Sequence, residues 1–158
     1  MTEAKTIPIE DLPPLLAPEA RLLGLDLGTK TIGMALSDVT RSVATPLRTL
    51  KRGKFTADAK EIAQVVELNQ VGALVIGLPL NLDGSEGPRA QSTRAFARNL
   101  AGHLNVPIVF WDERLSTAAV ERHLIEADAS RKRRAEVIDR MAAAYILQGA
   151  LERLRRLV

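Results

Sequence analysis

Apolar residues in this chain recur with two different periods, and the switches between periods mark out its elements. Runs that alternate or stay apolar predict strands near 21–28, 33–38 and 44–50, the first two joined by a short turn at Thr29 to Thr31. These form an antiparallel meander. A helical period follows, with Ile62, Val65 and Val66 on one face behind a candidate cap at Thr56, and then the apolar run ALVIGLP predicts a buried strand at 73–79. A second helix carries Thr93, Phe96, Ala97, Leu100 and Leu104 on one face and leads into a strand, PIVFWDE, at 107–113. Ser116 or Thr117 can cap a third helix, and a fourth runs from about Ala135 to Arg155. Helix-linked crossovers imply parallel pairing, so the order βββαβαβαα predicts an α/β fold. Its five-stranded mixed sheet has three antiparallel strands and then two parallel ones, flanked by helices. Pro8, Pro13, Pro14 and Pro18 crowd the first twenty residues without a sustained period. Residues 1–20 are therefore expected to be a poorly ordered leader, and 21–158 a single domain.

Composition narrows the chemistry more than it narrows the fold. The 158 residues include no cysteine, which removes disulfides and thiolate metal sites and leaves carboxylates or histidines to bind any metal. No run approaches the roughly 20 apolar residues of a membrane span, and the start lacks a basic, then apolar, export signal. A cytoplasmic protein without membrane contact is expected. A net charge of +3 is a modest basic bias that suits nucleic acid without demanding it, so the placement of charge carries more information than the total.

One charge is oddly placed. Asp26 stands in the apolar strand LLGLDLG, with Gly24 and Gly28 two residues away on either side and, by alternation, on its own face. That pattern predicts backbone clearance above the strand for a metal ion and a bulky substrate, although a turn-capping aspartate flanked by hairpin glycines would produce it as well. Two further acids lie where this topology brings them beside the first strand. Glu113 ends an apolar strand in WDERLST, at the carboxyl edge where α/β sheets place ligands. Asp139 heads a small apolar helix face of Ala142, Ala143, Ile146, Gly149 and Ala150. Three converging carboxylates would repel one another unless cations sit among them. Hard oxygen ligands select magnesium or manganese, and two such ions about 3.5–4 Å apart serve phosphodiester hydrolysis. Ser37, Ser85 and Ser116 have no plausible histidine partner for nucleophilic catalysis. His103 and His123 have no metal-type spacing and read as structural.

The segments LLGLDLGTKTIGMALSD, VIGLPLNLDGSEGPRA, FWDERLSTAAV and VIDRMAAAYILQGAL, in this order and spacing, resemble the YqgF family, also called RuvX-like, of Holliday junction resolvases and precursor 16S rRNA nucleases. The resemblance covers Arg21 to Leu151. It implies a ribonuclease H-like fold, nuclease chemistry with divalent magnesium or manganese, and an acid set on Asp26, Glu113 and Asp139. Structured RNA and branched DNA are both implied as partners, and a homodimer would suit a junction substrate.

Cations outside the acidic centre would hold the phosphate backbone. The clearest cluster is Arg131, Lys132, Arg133 and Arg134, where positive charge just before a helix opposes its dipole and so calls for another reason. Solvated charge on an exposed loop would account for the cluster equally well. Lys30 at the first hairpin, Arg89 near a helix start after Gly84 and Gly87, and Arg114 beside Glu113 are further phosphate candidates. Aromatics make up 3% of the chain, too few for a base-stacking platform, so backbone and shape recognition is expected. Two other readings compete. DLGTK resembles the first phosphate loop of the actin and sugar-kinase superfamily, but the chain is too short for a second lobe to close over a nucleotide. A non-catalytic nucleic-acid or ribosome-associated module would share the fold without the chemistry.

Overall fold

The computed structural model describes residues 6–115 and 131–157, with side chains for 6–114 and 140–157. Three strands, β1 (Arg21–Leu27), β2 (Thr31–Ser37) and β3 (Ala44–Lys51), form the antiparallel meander. Helix α1 (Phe55–Leu68) crosses to β4 (Val71–Leu78), and α2 (Pro88–Ala101) crosses to β5 (Ile108–Asp112), each strand parallel to the one it joins. The last helix, α3, spans Arg131–Arg156. The sheet order β3-β2-β1-β4-β5 is the mixed five-stranded arrangement expected. The expected helix behind Ser116 or Thr117 lies outside the described residues.

Alternation along the strands divides the core into two layers. Leu23, Leu25, Leu74, Ile76 and Ile108 face α1 and α2, meeting Ile62, Phe96 and Leu100. Leu22, Val75 and Val109 face α3, meeting Ala143, Ile146, Leu147 and Ala150. Each fully buried leucine or isoleucine stabilises the fold by roughly 1.5–3 kcal/mol. Within the α3 layer the helix approaches the sheet most closely where the strands lack side chains, at Gly24 and Gly77. A Cβ built on Gly24 would lie 2.8 Å from Leu147 Cβ and 2.9 Å from the carbonyl oxygen of Ala143. On the helix side, Gly149 makes room for the Trp111 indole.

Three expectations change here. Residues 6–20 are not a poorly ordered leader. The Ile7 amide donates to the Ile108 carbonyl at 2.9 Å, Thr6 bridges β5 in parallel, and Ile9 and Leu12 are buried in the α3 layer. The prolines shape two short 3₁₀ turns that aim these apolar side chains inward. The last helix begins at Arg131, so the basic cluster forms its first turn and does not precede it. Arg and Lys are good helix formers, and no glycine or proline interrupts the run. Thr56 does not cap α1; the helix starts at Phe55, and the buried Asp58 carboxylate accepts the Gly53 amide at 3.2 Å just before it.

The Gly24 contact is expected to be sensitive to one methyl group, since one of the opposing atoms is helix backbone. Gly24→Ala should lower stability by about 1–3 kcal/mol, read as a lower urea midpoint at unchanged slope.

Candidate functional site

Asp26 is the penultimate residue of β1, on the face that α3 covers, and is 6% exposed. Across the antiparallel ladder it pairs with Gly33 of β2. On the other side Leu25 pairs with Ile76 of β4, which brings the next residue, Gly77, alongside Asp26. The carboxylate is therefore flanked laterally by two positions that lack side chains. The clearance predicted along the strand is different in kind: the space above Gly24 is filled by Ala143 and Leu147 of α3 and is not open to a ligand. Gly28 lies beyond the strand and closes the hairpin, its amide donating to the Thr31 carbonyl at 2.8 Å.

Glu113, expected as the last residue of the strand, instead opens a 3₁₀ turn immediately after β5, which ends one residue earlier at Asp112. Its Oε2 lies 3.3 Å from where a Cβ on Gly77 would stand, and Ile146 of α3 occupies the rest of that space. Gly77 thus brings the Glu113 carboxylate over β4, next to the strand that carries Asp26. Sequence reasoning passed over this residue, although an isolated glycine inside a buried strand is the usual mark of a close approach.

Asp139 belongs to the third turn of α3. Helix α3 runs antiparallel to β1, since Gln148 meets Ala44 at the start of β3 and Arg155 reaches Ser42 beyond it. Four residues before Ala143 correspond to about 6 Å of helix rise, and Gly24 to Asp26 spans about 6.6 Å of strand. The helix position of Asp139 is therefore level with Asp26. Its side chain, like those of Arg131, Lys132, Arg133 and Arg134, lies outside the described residues. Among the described residues no group of three acidic or histidine side chains is spaced to hold a metal ion. His103 packs edge-on against Phe55, and His123 lies outside the described residues.

The candidate phosphate contacts separate into two kinds. Arg114 is committed: its guanidinium forks onto Asp112, at 2.6 Å for the closest pair, and also donates to the Leu82 carbonyl at 3.2 Å. It rests against Gly84, whose φ of +88° is a backbone state glycine adopts without strain. Arg114 therefore ties the 81–87 loop to the end of β5. The same hydrogen bonds hold the Asp112 carboxyl below its ordinary range. In that loop, the Ser85 hydroxyl and amide likewise lower Asp83. Lys30 and Arg89, in contrast, are exposed and lie at the end of the sheet that carries Asp26. Lys30 sits in the β1–β2 hairpin and Arg89 in the first turn of α2, beside a small pocket against Gly28.

Known proteins resemble this chain in sequence and in fold. A protein of Methylocella silvestris named "Putative pre-16S rRNA nuclease" is 60% identical over 154 residues, covering 98% of this chain and 96% of its own. A Roseobacter denitrificans protein of the same name is 64% identical over 152 residues, 93% of each chain. Among solved structures, Thermus thermophilus RuvC aligns with a TM-score of 0.52 at 13% identity, over 85% of this chain and 96% of that one. The T. thermophilus RuvC complex with a Holliday junction substrate aligns at 0.50 and 16%, with the same coverage. These structures share the ribonuclease H-like fold. The family model described as "RuvX: Holliday junction resolvase" matches residues 20–153, and the chain belongs to that family.

Proposed function

We propose that this protein is a divalent-metal-dependent endonuclease that hydrolyses phosphodiester bonds of structured nucleic acid. The observation that carries the reading is the pair of carboxylates, Asp26 and Glu113, brought to either side of Gly77 at the carboxyl edge of the sheet. The helix position of Asp139 stands level with them. The donor set is all oxygen, with Asp26 on β1 and Glu113 reaching over the intervening β4 from the end of β5, which fits magnesium or manganese. When bound there by Asp26, Glu113 and Asp139, such ions would activate the attacking water and offset the charge that builds on the phosphate.

The chain's own residues do the rest. Asp26 is fixed by the β1 ladder and by burial, so its carboxylate needs no rearrangement when substrate arrives. Lys30 and Arg89 bind phosphates beside the scissile one, and the basic first turn of α3 adds sequence-independent attraction. Arg114 acts by holding the 81–87 loop in place and does not itself take a phosphate. The names of the relatives at about 60% identity support precursor 16S rRNA as the substrate. The description of the family model supports a four-way junction, cut by a homodimer.

A side-by-side assay on a precursor rRNA fragment and a four-way DNA junction, with manganese and with magnesium, decides between these substrates. Asp26→Asn should abolish metal-dependent cleavage of the true substrate while leaving salt-sensitive binding largely intact. Undiminished cleavage by that variant would overturn the mechanism. Binding without cleavage by the wild-type chain, on both substrates, would instead identify a non-catalytic module.

Arg114→Gln should return the Asp112 pKa upward toward the ordinary carboxylate value, measured by carboxyl carbon NMR. Because the folded value is depressed, the pair stabilises the protein above the ordinary carboxylate range. That contribution fades as pH falls through the folded value, and the variant should lack this acid-dependent loss.

A further inference from the structure

A second site stands on the opposite face of the sheet from α3. Where β1 ends, Leu27 and Gly28 form one wall of a pocket of about 60 Å³ whose other walls come from α2 and the segment after β3. Ligand sites for whole molecules run to several hundred Å³, so this one has room for a single small group. Arg52 and Arg89 both line it, and no carboxylate does. Nearby arginines are neutralised: Arg94 forks onto Glu86 and Arg114 onto Asp112. Arg52 and Arg89 have no such partner among the described residues, and two guanidinium groups facing one small space raise its potential for an anion.

Arg52 is held in advance. Its Nη1 donates to the Gly28 carbonyl at 2.6 Å, and its guanidinium lies over the Phe96 ring at 5.2 Å. The guanidinium has five N–H donors, which leaves others for a ligand. Thr93 lines the same pocket and is 4% exposed, so its hydroxyl is fixed at the pocket wall as a further donor. Thr29 and Ser92 add two more hydroxyls at the rim, and the start of the fourteen-residue α2 adds its positive dipole end. Two arginines, three hydroxyls and a helix start around a space this small match a tetrahedral oxyanion.

We infer that this pocket seats a non-scissile phosphate of the bound nucleic-acid strand. The site extends the proposed function, and it rests on nucleic-acid binding and not on the cleavage step. Asp26 and Leu27 are consecutive in β1 and face opposite sides of the sheet, so Gly28, with no side chain, is the saddle between the two sites. A strand with its reacting phosphate at the acids crosses the sheet end over that saddle. The phosphate then held by Arg52 and Arg89 fixes the register of the cut.

The test measures binding by fluorescence anisotropy on the Asp26→Asn full chain, so that the strand stays intact, with a labelled precursor-type RNA hairpin and a labelled four-way DNA junction. Against that background, Arg89→Gln and Ser92→Glu, both at exposed positions of α2, should each weaken binding of the true substrate about tenfold. Arg89→Gln should also flatten the plot of log affinity against log salt by about one unit. Lys60→Gln, on the outer face of α1, should change neither. Unchanged affinity and slope in both α2 variants would overturn the assignment, as would the absence of salt-dependent binding to either probe. Saturable binding of inorganic phosphate that Arg89→Gln removes, with unchanged slopes for both nucleic acids, would assign the pocket to a free anion and overturn the strand reading. Failure of the wild-type chain to cleave leaves these binding readouts intact, so the two proposals fail separately.

Discussion

The contact on which this structure depends is that of a helix backbone against bare sheet. Helix α3 lies so close to β1 and β4 that one methyl group at Gly24 or Gly77 would collide with it. Close packing of the helix on two bare strand positions leaves few low-energy ways to slide, because interiors are packed at crystal-like density. The depth of the helix also sets the depth of its acid, since Asp139 can stand level with Asp26 only if Ala143 reaches Gly24. Packing and chemistry are thus one constraint: the glycines that admit the helix also admit the carboxylate of Glu113.

How much of this was legible in the sequence differs from residue to residue, for physical reasons. The strands and their order could be read because burial on both faces demands long apolar runs, and Asp26 stood out as a charge inside one of them. Gly77 was hidden because a glycine in a buried strand has no side chain to signal what approaches it; the approaching atoms belong to Ile146 and Glu113, far away in sequence. Gly24 stood out as a bare position, but alternation along a strand cannot say whether a ligand or a helix fills the space, and here α3 fills it. The start of α3 was misplaced because four consecutive cations look like a loop to a dipole argument, while their individual helix propensities allow the turn. Residues 6–20 misled through their prolines, which obscured the inward side chains of Ile9 and Leu12. Arg52 carried no signal at all, being one basic residue in the polar stretch KRGK; its role depends on Phe96 and Gly28, which only the fold brings together.

Charge is also divided by function across the molecule. Two of the arginines with a carboxylate partner, Arg94 and Arg114, fasten the loop between β4 and α2. Pairs this exposed contribute little to global stability, so their effect is local ordering of a loop next to the acids. Arg52 and Arg89, with no carboxylate partner among the described residues, are left where an anion can reach them. A single count of basic residues cannot distinguish these two populations, which is why a net charge of +3 understates what one end of the sheet can attract.

The two rims of the sheet are finished differently. At β5 the segment around Thr6 and Ile7 adds a short parallel bridge that occupies ladder positions a foreign strand would otherwise take. At β3 the pairing register with β2 shifts beside Pro46, which has no amide to offer, and Arg48 and Lys51 keep charge along the strand. Neither rim is a flat template for strand addition. Both borders thus carry features that disfavour growth of the sheet from one molecule into the next.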